Sequence, residues 1–321
     1  MMAINQVFAY SSLHSRTRAL MSGLLSTEEW GYLYNVKDFE GLIMFLRESV
    51  YGAYLEGFET ANLTPRRTVY EIRKTLVDRY LALIGISKPP LKEVLSELLR
   101  LYEVDNLKAA IRGILIGQSW DRVRHTLFPL GDFGKLPCEA MMATGDVEEA
   151  IDLLKGTVYY DPLSRGLIRY NQEKNLFVLE VVLDLDYWRR LWKKCRSFSQ
   201  DDWVQVRPLV GTLMDMNNLL WALRYRIYYH LSEEEIINYT LPFGYQVADE
   251  QIRRIAAGGD LGNVLGELYP EYPMRKEFNN DPQQNLPFLE NWLMKRSIAV
   301  CRKSFAGFPF HAGIPIAYLH M

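Results

Sequence analysis

The sequence predicts an all-α protein, and three observations carry that expectation. Apolar residues recur three or four positions apart through most of the chain, helix-start signals stand ahead of those runs, and alternating strand patterns joined by hairpin turns are almost absent. Of the 321 residues 49% are hydrophobic, enough to bury a sizeable core and too many for a disordered chain.

The elements follow in order. The opening MMAINQVFAYSSLHSRTRALMSGLL carries His14, Arg16 and Arg18 where a secretory signal would hold its unbroken apolar stretch, so a leader is not expected there. Ser26-x-x-Glu29 has the spacing of a capping box that opens a helix. In 64-TPRRTVYEIRKTLVDRYLALIG-85, Thr64 is the expected N-cap and Pro65 the first helical residue, with Val69, Ile72, Leu76, Tyr80 and Leu83 as the apolar stripe. After the Pro89-Pro90 break, Leu91, Val94, Leu95, Leu98 and Leu99 repeat that pattern. Further on, Leu179, Leu183, Tyr187, Leu191 and Cys195 fall four apart, leaving Arg190, Lys193, Lys194 and Arg196 mainly on the other sides of the same helix. The basic aromatic run 187-YWRRLWKKCR-196 therefore reads as a solvated helix face rather than a phosphate or membrane contact, with a docking surface for an acidic partner as the alternative.

The chain repeats itself. The stretch 102-YEVDNLKAAIRG-113 returns as 214-MDMNNLLWALRY-225, so that Glu103 meets Asp215, Asn106 meets Asn218, Leu107 meets Leu219 and Arg112 meets Arg224 at a constant offset of 112. The segments 38-DFEGLIMFL-46, 146-DVEEAIDLL-154 and 260-DLGNVLGEL-268 align without gaps, each opening on an Asp that suits a helix start. Tyr51 then falls opposite Tyr159, while the third copy, LYPEYP, matches loosely; 129-PLG-131 and 242-PFG-244 stand 113 apart. A single all-α domain over 1–321 is expected, built of three pseudo-repeats of roughly 110 residues at approximately 1–124, 125–235 and 236–321. A third Asn-Leu-x4-Arg element would be due near position 330, past Met321, so the third repeat is expected to be C-terminally incomplete.

In a helix, Glu103 and Arg112 lie about 13.5 Å apart along the axis, too far for an intrahelical pair, so each needs a partner on another element. Leu107, Ile111 and Leu115 form one stripe and Leu219 and Leu223 another, while Ala109, Ala110, Gly113 and Ala222 permit close helix approach. Asn106 and Asn218 then sit near the contact, where a side-chain amide holds neighbouring backbone. The expected role of all eight aligned residues is a structural repeat joint, with no ligand bound.

Chemistry-bearing patterns are weak. The nearest approach to a magnesium-holding Asp-Asp-x-x-Asp is 201-DDWVQ-205, where Gln205 replaces the third carboxylate and Ser199 marks a helix start. The glycine-rich 257-AGGDLGNVLG-266 lacks the Gly-Lys-Ser/Thr ending of a phosphate loop. His14, His125, His230, His311 and His320 include no pair at metal-ligand spacing, and Cys138, Cys195 and Cys301 are too scattered for a metal knuckle or a disulfide framework. No Gly-x-Ser-x-Gly elbow occurs, and neither cofactor nor metal is expected. Lys and Arg number 37 against 39 Asp and Glu, a net charge of −2 that argues against general nucleic-acid binding. No run of roughly 18 uncharged apolar residues occurs, so no direct membrane span is expected.

Tyr10 with Arg16, Arg18, Leu20, Leu24 and Leu25, the VYG of 50–52, DNLKAAIRG and NNLLWALRY, LPFG at 241–244 and 313-GIPIAYL-319 together resemble the C subunit of archaeal and bacterial V/A-type rotary ATPases, relatives of the vacuolar d subunit. The likeness runs along essentially the whole chain. It implies a funnel-shaped, all-helical, non-catalytic rotor adapter at the cytoplasmic face of the membrane. There it would socket the central shaft subunits onto the membrane proteolipid ring and couple ATP hydrolysis or synthesis to proton or sodium transport. The alternatives are an unrelated helical-repeat scaffold and an all-α enzyme whose site is assembled from scattered residues.

Overall fold

Several helix starts in this chain are set by short polar side chains that accept from otherwise unpaired backbone N–H groups. The computed structural model describes residues 2–272 and 282–321, and no strand occurs among them. Ser26 and Glu29 form a reciprocal capping box, and Thr64 accepts from the Arg67 N–H with Pro65 in the first turn. Asp38, Asp146 and Asp260 each cap the helix that follows, accepting from Gly41, from Glu148 and Glu149, and from Asn263 respectively. Pro273, the last residue of LYPEYP, lies outside the described residues.

Two compact units are formed, one of Ser15–Tyr187 and one of Met1–His14 with Trp188–Met321, the chain passing between them within α1 (Met2–Met21) and α12 (Phe177–Cys195). The first unit holds α2 (Thr27–Asn35), α3 (Phe39–Glu48), α4 (Gly52–Leu55), α5 (Pro65–Ile86), α6 (Leu91–Leu99) and α7 (Leu101–Leu115), then α8 (Trp120–Val123), α9 (Cys138–Thr144), α10 (Val147–Asp152) and α11 (Tyr160–Glu173). Ile43, Leu46, Leu55 and Leu63 make one core cluster; Ala110, Val123, Leu127 and Cys138 make another, where α7 packs on α8 and α9. A Cβ at Gly113 would stand 2.9 Å from Met142 Cε, so the missing side chain is what lets α9 lie close on α7.

The second unit is organised on the 29-residue α13 (Gln200–Tyr228), against which α14 (Glu233–Asn238), α15 (Asp249–Ala256), α17 (Pro282–Lys303) and α18 (Gly313–His320) pack, with α16 (Leu261–Leu268) on α15. Sixteen of its residues are buried, including Leu219, Ala222 and Leu223, as befits a central helix.

Two stripes differ from the expected ones. On α5, Val69 is exposed and the buried face runs through Thr68, Glu71, Thr75, Val77, Tyr80, Leu83 and Ile84. Three polar residues occupy core positions there, so an apolar pattern points to a rotated face. On α7, Leu107 and Ile111 are buried but Leu115, in the last turn, is exposed.

Candidate functional site

The aligned residues on α7 and α13 make a polar geometry that is repeated at both asparagines. Asn106 Nδ2 donates to the Phe128 carbonyl at 3.0 Å, and its Oδ1 accepts from the Phe128 N–H at 2.7 Å. Asn218 does the same to Leu241, donating to the carbonyl at 2.9 Å and accepting from the N–H at 2.8 Å. A primary amide carries a donor and an acceptor side by side and so closes a ring with both polar groups of one residue. The residue held stands directly before Pro129-Leu130-Gly131 in one case and Pro242-Phe243-Gly244 in the other. Proline offers no N–H, and it favours an extended residue ahead of it, whose N–H and carbonyl then need partners outside the local chain. Leu107 and Leu219, next along each helix, are fully buried.

Glu103 and Asp215 are both buried, yet they do different work. Glu103 accepts from the Tyr159 hydroxyl and lies 3.5 Å from Arg100 Nε. Asp215, one methylene shorter, accepts three successive backbone N–H groups, from Tyr245 and Gln246 at 2.8 Å and from Val247 at 3.2 Å. Burial pushes the Asp215 carboxyl above its ordinary range, while those three donors and the Arg296 guanidinium pull it back. The loop passes so close that a Cβ at Gly244 would lie 2.1 Å from Asp215 Oδ1, so only glycine fits there. The Pro-x-Gly spacing was visible in the sequence; the approach of the second such loop to Asp215 was not.

The two arginines reach partners on other helices. Arg112 Nε donates to Glu180 of α12 at 2.9 Å, and Arg224 Nη2 donates to Glu290 of α17 at 3.0 Å. One turn before Arg112, Lys108 pairs with Asp184, which burial raises and Lys108 lowers, with burial the larger effect. Lys108 and Arg112 ascend α7 while Asp184 and Glu180 descend α12, so these two helices run antiparallel where they are bonded.

The family profile described as ATP synthase (C/AC39) subunit matches residues 13–321. The chain belongs to this family. The C subunit of the A-type ATP synthase of Methanocaldococcus jannaschii is 27% identical over 259 residues, which cover 81% of this chain and 64% of that protein. Its counterpart in Methanosphaera stadtmanae is 23% identical over 264 residues, 82% of this chain and 66% of that protein. The counterpart in Pyrococcus abyssi is 23% identical over 314 residues, covering 97% of this chain and 82% of that protein. The chain thus spans just under two thirds of the length of the first two relatives. The resemblance carried by Tyr10, VYG, the two Asn-Leu elements, LPFG and GIPIAYL is to the family that the profile identifies.

In this C/AC39 family member the other chemistry-bearing patterns have structural partners. Ser199 caps α13 by accepting from the Asp202 N–H, and the Asp202 carboxylate accepts from Tyr10 Oη at 2.8 Å, Ser199 Oγ at 3.2 Å and the Ala312 N–H at 2.9 Å. Asp202 therefore ties α1, α13 and the start of α18, a role that its neighbour Asp201 hides in the sequence. Leu179, Leu183, Tyr187, Leu191 and Cys195 are all buried, and Lys193 and Arg196 are exposed. Trp192, from the basic aromatic run, stacks on Phe243 of the Pro-x-Gly loop at 5.3 Å with the rings 4° from parallel. Cys138, Cys195 and Cys301 are buried thiols, and burial pushes Cys138 up to about 11 and Cys301 to about 12, away from reactive thiolates. Among the described residues no group of three His, Cys, Asp or Glu side chains is placed to hold a metal ion, and no helix is long and apolar enough to cross a membrane.

Proposed function

We propose that this chain is a non-catalytic adapter on the central stalk of a V/A-type ATPase or ATP synthase. In that reading it seats the central shaft subunits on the membrane proteolipid ring, at the cytoplasmic face, and passes torque between ATP turnover and ion movement. The observation that supports it is the match of an ATP synthase subunit family to residues 13–321, nearly the whole chain. Torque transfer calls for stiff joints between helices, and the proposal gives that work to Glu103, Asn106, Leu107 and Arg112 and to Asp215, Asn218, Leu219 and Arg224. It also takes 1–124, 125–235 and 236–321 as three related parts, each with an Asp-capped helix. The ring is met with polar loops, so that interface is wet and salt-sensitive, whereas the shaft is gripped by apolar side chains. The test is a pull-down of the chain with purified shaft and with purified ring at low and high salt. Binding to both at low salt, with the ring released before the shaft as salt rises, is the expected result; binding to neither overturns the adapter reading.

A further inference from the structure

The first turn of a helix carries the positive end of its dipole and so favours carboxylates over cations. The start of α5 goes against that preference: its first turn holds Arg66 and Arg67 and no acidic residue. The fold then lays this turn beside a second group of cations. Arg66 Nη1 donates to the Arg122 carbonyl at 3.4 Å, the Tyr70 and His125 rings meet edge to face with centroids 5.5 Å apart, and Arg73 Nη1 donates to the Thr126 carbonyl at 2.9 Å. Residues 66, 70 and 73 share one helical face, so these successive contacts run the first two turns of α5 along residues 122–126, with Arg124 among them.

The charge that gathers there is largely uncompensated. Glu71 is buried and pairs with Lys74, and Asp121 pairs with Arg124 at 3.3 Å across two exposed side chains, where solvent weakens the bond. Arg66 is held by a carbonyl and Arg67 lies 4.7 Å from the centre of the Phe58 ring, contacts that orient a guanidinium without cancelling its charge. His125 registers the potential: its imidazole is lowered from the ordinary value by burial first and then by Arg124 and Arg67, with Glu71 and Asp121 opposing. Beside these cations lies a cavity of about 790 Å³ whose lining includes Tyr70, Trp120, Arg124, His125 and Leu136, with one carboxylate, Glu139. It is large enough for a bulky side chain. A layer of anionic headgroups would meet the charges and leave the hollow unfilled, whereas a protein segment that carries carboxylates beside an apolar residue uses both.

We propose that the start of α5 and residues 120–125 dock an acidic segment of a partner protein, its carboxylates on Arg66, Arg67 and Arg124 and an apolar side chain seated in the cavity against Tyr70, Trp120 and Leu136. Arginine forks suit carboxylates because two parallel N–H groups meet two oxygens. This surface does not depend on the adapter reading.

The probe is a short synthetic peptide with Glu and Asp on either side of a Trp-Leu pair, fluorescently labelled and titrated with the full chain while anisotropy is read. One control peptide has every Glu and Asp replaced by Gln and Asn, and a second has Trp-Leu replaced by Ser-Ser. Saturable binding that weakens as salt rises is expected for the acidic peptide, with both controls weaker. Arg66→Gln with Arg124→Gln removes charge at the rim, and Ala143→Phe adds bulk to the cavity lining; each is expected to weaken binding about tenfold. All three positions are exposed, so circular dichroism and the unfolding midpoint are expected to stay unchanged in both variants. Absence of saturable binding, equal binding of either control peptide, or binding indifferent to either variant overturns the proposal. So does sedimentation with vesicles of anionic phospholipid that Arg66→Gln with Arg124→Gln abolishes and the acidic peptide fails to displace, because it gives the patch to a membrane surface.

Discussion

Asn218 closes both polar groups of Leu241 inside a buried site, while Asn106 does the same for Phe128 in a half-buried one. Replacing Asn218 with Ala leaves a buried N–H and a buried carbonyl without partners, at a cost of about 2–4 kcal/mol in urea unfolding. Asn106→Ala is expected to cost less, because water reaches its site. Equal and negligible losses at both positions would show that the amides are bystanders. The asparagines were legible as a pair from their constant offset, but their partners lie 22 and 23 residues away and no local pattern names them. The signal that finds them is the Pro-x-Gly repeated after each partner, at nearly the same offset. Histidine sets a pH dependence at this scale. His320 Nε2 is buried, and burial pushes the imidazole from an ordinary 6.5 down to about 4. A folded-state value below the unfolded one means that the stability it contributes is present above pH 6.5 and is lost as pH falls toward about 4. His311 acts in the same direction, whereas Asp105, Asp184 and Asp215, all raised by burial, act in the opposite one. His320→Leu is therefore expected to lose less stability than the unaltered chain between pH about 7 and about 5 in parallel urea titrations. An identical loss in both would mean that the imidazole titrates in the fold as it does in the unfolded chain.

At the scale of elements, α7 and α12 are joined by a two-rung ladder whose rungs differ in burial. Lys108 and Asp184 are 15% and 18% exposed, against 53% and 20% for Arg112 and Glu180. Solvent screens the outer rung, so a double-mutant cycle on Arg112 and Glu180 is expected to give a coupling of about 0.5 kcal/mol. Removing Lys108 alone strands a buried carboxylate, and Lys108→Ala is expected to destabilise several times more than Arg112→Ala, as read by denaturant midpoint. Similar losses for the two would place both rungs in solvent. Elements with regular chemistry could be read from the sequence: the capping box at Ser26 and Glu29, the Thr64-Pro65 start, the three Asp caps and the buried stripe of α12 all stand at their expected positions. The first half of α5 could not, because Thr68, Glu71 and Thr75 face inward where an apolar count looks to Val69, whereas Tyr80 and Leu83 of the expected stripe are buried. Nor could the role of Asp202, whose bonds to Tyr10 and Ala312 join residues separated by 192 and 110 positions. Long-range polar contacts leave no periodicity behind them.

For the molecule as a whole, the all-helical build and the family of ATP synthase subunits were both within reach of the sequence, the first through periodicity and the second through the order of short motifs along the chain. What the motifs do could not be read from them singly, since Gly244 is explained only by a carboxylate 29 positions earlier, at Asp215. The central claim is that this chain joins a shaft to a membrane ring and performs no chemistry of its own. The most direct measurement is bridging: vesicles carrying the purified proteolipid ring are sedimented with purified shaft, with and without the chain, at low salt. The account expects the shaft to reach the pellet only when the chain is present, in stoichiometric amount, and to be released together with the chain as salt rises. Shaft that sediments equally without the chain, or a chain that pellets without carrying shaft, would contradict it.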